Sequence, residues 1–364
     1  MSIHLLKPPF TNIMNIPSTL HFQLFILLIA LSACTSPSGP GVGETPFERL
    51  SEYHFFKGDI ANLSPEEGVL PYDLNSPLFT DYAEKARFVW MPKGKSAQYT
   101  KDGILNFPEG TALIKNFYYH ADQGDMNSPK RIVETRLLIK GSDTWEAHGY
   151  IWNDEQTDAS LEIVGDIKKV EWTRETGEDI HLDYIIPNKN QCKGCHYNKG
   201  ILEPIGPKVR NLNKTYTYSD GEKNQLEKWA EVGYLTGYNP GAEHSKVAQW
   251  DNPQSGSLHE RAMAYLDINC AHCHNPNGPA NTTGLNLVAD APKNASIGIM
   301  KASVAAGQGT GGFDYNIVPG HPEISILPFR MASDNPAEMM PELGRRMVHQ
   351  EGVELIREWI REME

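Results

Sequence analysis

The distribution of apolar and polar positions divides the chain into segments of different kinds. First comes a continuous apolar run, Phe22 to Leu31, with Lys7 as the only charged residue before position 34. Its length suits a signal-peptide core and is short for a bilayer span. Residues 34–46 are rich in Pro, Gly and Ser, which predicts a flexible tether. From 47 to 187, short runs rich in β-branched and aromatic residues predict strands at 111–119, 131–139, 146–152, 160–164 and 181–186. Turn signals separate them, such as Pro108-Glu109-Gly110 and Gly141-Ser142-Asp143. An antiparallel sheet or sandwich follows, with Phe107, Phe117, Trp145, Tyr150, Trp152 and Trp172 as its core. The competing role for these aromatics is to wall a pocket.

Beyond 187 the period changes. Residues 200–218 carry Gly, Pro and Asn with little periodicity and read as a wrapping loop; 237–256 read as a linker. Asn224 to Leu235 predicts a short helix with Leu226, Trp229 and Ala230 on one side. Ser257-Leu-His-Glu260 has the form of a capping box and starts a helix to Asn269, with Ala262, Tyr265 and Leu266 inward. A last helix from about Glu351 presents Val353, Ile356, Trp359 and Ile360. No solenoid-type repeat is present.

Composition bounds the possibilities without choosing among them. At 364 residues, 40% hydrophobic and 22% charged, the chain is of ordinary globular type and has room for two or three domains. A net charge of −13 argues against nucleic acid and against docking to an acidic membrane through charge. An acidic surface suits a basic partner.

The chemistry lies in the cysteines. Four of the five fall in two Cys-x-x-Cys-His motifs, Cys192-Lys-Gly-Cys195-His196 and Cys270-Ala-His-Cys273-His274. This pattern reads as c-type haem attachment: each thiol forms a thioether to one porphyrin vinyl group, and the histidine becomes an axial ligand. The rival is a four-thiolate zinc site, whose pairs usually stand about 15–20 residues apart. Here 75 positions (270 − 195) separate them, and a histidine follows each pair directly. The sequence therefore predicts two covalently bound haem c groups, held by Cys192, Cys195, Cys270 and Cys273, with His196 and His274 on the irons. Met340 is the expected second ligand of the C-terminal haem, because Pro341 biases it toward extended geometry. Met331 and Met339 are the alternatives, and Met347 also lies within reach. His/Met ligation makes an electron carrier with a raised potential. His274 should donate its other ring N–H to an oxygen, with the Asn277-Gly278-Pro279 turn as the source, and His272 should face solvent. For the first haem no Met or second His lies between His196 and Asn224. Its sixth position is either open or filled from Met91, His120, Met126, His148, His181, His244 or Met263.

Leu31-Ser32-Ala33-Cys34 resembles a bacterial lipobox, which implies a lipid on Cys34 and, with Thr35 next, placement at the outer membrane. Met14 is an alternative start. From about residue 70 onward the chain resembles an uncharacterised family of bacterial dihaem c-type cytochrome lipoproteins. The carrying stretches are 77–87 (Pro-Leu-Phe-Thr-Asp-Tyr-Ala-Glu-Lys-Ala-Arg), 107–111, 186–196, 270–280 and 340–344 (Met-Pro-Glu-Leu-Gly). The resemblance implies two haems and export; it supplies no substrate. A sheet followed by Cys-x-x-Cys-His is also similar to the β-type cytochromes c′, whose haem can lack a distal protein ligand.

These readings combine into an expectation. The fold is α+β, an N-terminal antiparallel β-rich domain followed by an α-helical class I-like cytochrome c domain. The divisions are a lipoprotein signal peptide (1–33), a tether (34–46), a β-rich domain (47–187), a first haem-binding segment (188–254) and the cytochrome c domain (255–364). The protein transfers single electrons to redox partner proteins in the periplasm, meets the membrane only through its N-terminal lipid, and binds no nucleic acid. No catalytic residue is assigned. The alternatives are a dihaem peroxidase- or oxidase-like enzyme with an open first haem, and a haem-containing ligand-binding or sensory module.

Overall fold

Six segments that alternate apolar and polar side chains pair into one antiparallel sheet. The computed structural model describes residues 39–101, 103–291, 296–304 and 306–364, so the apolar run and Cys34 lie outside the described residues. The sheet contains β1 (Val69–Tyr72), β2 (Glu84–Trp90), β4 (Ala112–His120), β5 (Lys130–Lys140), β6 (Trp145–Trp152) and β7 (Ala159–Glu162), in that spatial order. Short β3 (Ala97–Gln98) lies outside it. The hairpin β8 (Asp166–Thr173) and β9 (Asp179–Ile186) covers one corner, where Val170, Trp172 and Tyr184 pack on Phe117 and Tyr119. The expected strands at 111–119, 131–139, 146–152, 160–164 and 181–186 thus match β4, β5, β6, β7 and β9 to within about two residues.

Alternation sends the two faces of the sheet to different partners. Phe88, Ile114, Leu137, Tyr150 and Trp152 face the N-terminal segment through Leu50, Tyr53, Phe55 and Phe56. Val89, Leu113 and Ala147 face the rest of the chain through Leu212, Leu226, Trp229 and Ile268. All six aromatics named above are buried, and none lines either of the cavities described below.

After the sheet the chain runs through α1 (Lys189–His196), the hairpin β10 (Tyr197–Asn198) and β11 (Ile201–Leu202), and α2 (Val209–Leu212). The hairpin β12 (Thr215–Tyr218) and β13 (Gly221–Asn224) follows, then α3 (Gln225–Glu231) and β14 (Leu235–Thr236), which pairs in parallel with β3. Asn224 caps α3, and Leu226 and Trp229 are fully buried as its period required. α4 (Leu258–Asn269) starts at the Ser257–Glu260 capping box. α5 (Ile326–Ala332) and α6 (Gln350–Arg361) complete the order. α4 and α6 cross at Gly352, where any Cβ would lie 2.3 Å from the Tyr265 hydroxyl. The helical glycine is tolerated because the crossing admits no side chain.

The expected α-helical class I-like cytochrome c domain at 255–364 is overturned. Among the described residues this stretch holds two twelve-residue helices and one short one, joined by long segments of turn and 3-10 structure, and the architecture is dominated by the large antiparallel sheet. The physical reason is local: between 275 and 325 the sequence is crowded with Gly, Pro and Asn, which favour turns over helix. Residues 39–364 instead form a single compact unit. The Phe79 amide donates to Asn269 Oδ1 (2.8 Å), and the amides of Arg346 and Met347 both donate to Asp81 Oδ1 (2.7 Å each). Asp81 and Tyr82 both sit in the left-handed region (φ 46° and 60°), backbone strain that this tertiary contact holds in place.

Candidate functional site

Both Cys-x-x-Cys-His motifs come to one place. They line two adjoining cavities of about 370 and 410 Å³, within the range of small-molecule and cofactor sites. The sheet-side cavity holds Cys192, Cys195 and His196; the C-terminal cavity holds Cys270, Cys273, His274 and Met340. Cys195, Cys270, His272, Met331, Met340 and Leu343 border both. The Cys273 thiol donates to the Gly194 carbonyl across the gap between motifs (3.7 Å). All four sulfurs are free of disulfides.

The first motif is presented by α1, whose start is fixed by Asn188 and Gln191 in a reciprocal cap. His196 ends the helix. The Lys199-Gly200 pair, with φ of 48° and 92°, turns the β10–β11 hairpin, and glycine fits the second position because a Cβ is disfavoured there. That turn returns the Glu203 carbonyl to His196 Nδ1, which donates to it at 2.7 Å. Nε2 is thereby left without its proton. Burial pushes His196 down to about 4, with the Glu203 contact opposing, so the ring is neutral at neutral pH.

The second motif follows α4, with Cys270 at its C-cap. His274 Nδ1 is 3.1 Å from Thr283 Oγ1, whose own hydroxyl donates to the Ala280 carbonyl at 2.7 Å. The Thr283 oxygen therefore accepts from His274, and here too Nε2 is the free nitrogen. The expected oxygen exists, but it is a side-chain hydroxyl rather than a carbonyl of the 277–279 turn. Burial, followed by Arg330, holds His274 below its ordinary range.

Met340 lies in a loop that the buried Arg345 organises. The guanidinium donates to the carbonyls of Ser333 (2.8 Å), Met340 (2.9 Å), Met347 (3.2 Å) and Arg330 (3.3 Å), and the Met340 amide donates to Arg330 O (3.0 Å). Nothing in the sequence marks Arg345 for this role, since a buried arginine looks like any other in a polar stretch.

Of the candidates for the sixth position on the first motif, only His148 borders the sheet-side cavity, and it alternates toward the face of Tyr150 and Trp152. Met91 and Met263 are in the core, and Met126 is exposed. His120 bonds the Ser128 carbonyl, His181 pairs with Glu171, and His244 lies between Tyr99 and Asn239. The structure brings Met339 and His349 to that cavity instead. His349 stacks on Phe79 (centroids 4.1 Å apart) and meets the Tyr265 hydroxyl at 3.0 Å. His272, expected to face solvent, is half-buried and borders both cavities.

The residues fit a covalent porphyrin. The sheet-side cavity offers the Cys192 and Cys195 thiols with His196, and the C-terminal cavity Cys270 and Cys273 with His274, each imidazole with Nε2 available, in walls of mixed apolar and charged side chains. Among the described residues no group of three or more His, Cys, Asp and Glu side chains converges as a metal cluster, the arrangement that a zinc site needs. No helix among the described residues is long and apolar enough to cross a membrane. Compared with family models, curated proteins and solved structures, the chain matches none of them.

Proposed function

We propose that the chain is an exported dihaem c-type cytochrome that carries single electrons on the periplasmic side of the outer membrane, tethered there by a lipid on Cys34. The observation that carries the reading is the convergence of both motifs on adjoining cavities with a shared wall. Two such motifs 75 positions apart (270 − 195) are brought side by side by the fold, as electron exchange between two bound groups would require. When bound, the haems supply one-electron exchange at iron.

The chain supplies the rest. Cys192, Cys195, Cys270 and Cys273 anchor the groups; Glu203 and Thr283 fix the tautomers of His196 and His274. Arg345 holds the loop that presents Met340. An acidic surface, net −13 over the whole sequence, suits a basic periplasmic partner.

Met340→Ala tests the assignment. The wild-type holoprotein should show a sulfur-to-iron charge-transfer band that the variant lacks. Axial ligands set haem potentials over about 0.8 V, so the variant's C-terminal centre should fall by a few tenths of a volt, on the order of that range. A variant with the band and both potentials unchanged would remove Met340 from the iron. A wild-type centre that is high-spin and shifts with carbon monoxide would move the reading to the peroxidase-like enzyme.

A further inference from the structure

The sheet-side cavity has a floor of cations in cross-strand register. Arg87 of β2 stands opposite Lys115 of β4, which stands opposite Arg136 of β5. All three line the cavity, and all three share the sheet face of Val89, Leu113 and Ala147. Like charges directly opposite one another destabilise a sheet, so a row of three needs compensation. Part of it is present. Arg136 donates to Glu134 through Nε (2.8 Å) and Nη2 (2.5 Å), and Arg87 Nη1 donates to Asp73 (2.7 Å). The middle of the row is compensated only at longer range. Lys115 has no ion pair among the described residues; its Nζ lies 4.6 Å from the Phe117 ring centroid, and Glu134 attracts it without a direct contact. Arg87, with its side chain 4% exposed, keeps Nη2 buried and without a hydrogen-bond partner. Burial first, then Arg87, Lys85 and Arg136, push Lys115 well below the ordinary lysine range, and Glu134 opposes them only in part.

We propose that the Arg87–Lys115–Arg136 row is a binding site for a carboxylate-type anion seated in the sheet-side cavity. An orphaned guanidinium nitrogen and an unpaired ammonium on adjacent strands offer two donors to one small oxyanion. The chemistry has two sources. One is a carboxylate of the porphyrin carried by Cys192 and Cys195, in which case the inference rests on the haem reading. The other is a free small carboxylate that enters the cavity, in which case it stands without that reading.

Thermal unfolding at constant ionic strength, with acetate replacing chloride, separates these. The proteins are the full-length holoprotein, a Cys192→Ser/Cys195→Ser variant, and each with Lys115→Met. A free-ligand site predicts a saturable rise in the Tm of the holoprotein with acetate, and an apparent affinity about tenfold weaker in Lys115→Met, the loss of one charge-assisted hydrogen bond. A porphyrin carboxylate predicts an indifferent holoprotein, a responsive cysteine variant, and a changed potential of one centre in the Lys115→Met holoprotein. Lys115→Arg should restore whichever response is seen. A wild-type chain purified without haem that still responds to acetate keeps the site while removing the haem reading. Absence of an acetate response in every protein, with no change in either potential on Lys115→Met, overturns the proposal.

Discussion

Replacing Asp267 with alanine is expected to cost about 3–5 kcal/mol of folding stability, the loss typical of breaking a buried ion pair from one side. Asp267 is 1% exposed and Arg210 4% exposed. The guanidinium is bidentate, with Nη2 at 2.8 Å from Oδ1 and Nε at 3.1 Å from Oδ2, and its Nη1 also meets Asp290 at 2.9 Å. The Ala289 amide adds a contact to Oδ1 at 3.3 Å. This pair ties α2, which follows the first motif, to α4, which precedes the second, so it fixes how the two cavities meet. Alanine leaves the Arg210 charge buried with less compensation. Urea unfolding of Asp267→Ala against wild type measures the loss. A matched Arg210→Met/Asp267→Leu protein should be less affected, because both charges leave together.

The same pair predicts a pH dependence. Burial opposes ionisation of Asp267, but Lys208 and Arg210 outweigh it and hold the carboxyl below its ordinary range. A depressed folded-state value contributes stability that is fully present above the unfolded value of about 3.9. It is lost as the pH falls through the folded value. Acid unfolding of Asp267→Asn should lack this component.

Replacing Cys192 and Cys195 together by serine should take haem content from two per chain to one. The sulfur-to-iron band should survive, because Met340 and His274 line the other cavity. Cys270→Ser/Cys273→Ser should also leave one haem, and it should lose the band. Either change leaves a cavity of about 370 or 410 Å³ without its occupant, so both variants should melt well below wild type. Two variants with identical spectra would show that the motifs do not hold distinct groups.

What was legible in the sequence followed local rules. β4, β5, β6, β7 and β9 announced themselves by β-branched and aromatic runs, and α4 by its capping box. β8 was missed because Asp166, Lys168, Lys169 and Glu171 dilute its apolar positions, although Val170 and Trp172 alternate inward. β10 and β11 are only two residues each; Asn198-Lys199-Gly200 was the available signal, and it is what returns Glu203 to His196. In the C-terminal region two amphipathic helices resemble a helical domain in sequence, but the chain between them is mostly turn and 3-10 structure. It packs onto those helices through Leu287, Ile317 and Met331. Arg345, His349 and the Arg87–Lys115–Arg136 row were invisible for a different reason. Their roles come from contacts across strands and over long separations, such as Arg87 to Arg136, and no local pattern encodes those.

The most direct test is pyridine haemochrome analysis of the full-length protein, purified from a host that attaches haem c and normalised to polypeptide by amino-acid analysis. Two covalently bound haems per chain, retained after denaturation and acid–acetone extraction, is the predicted result. Colourless protein, or protein with stoichiometric zinc and no haem, would contradict it.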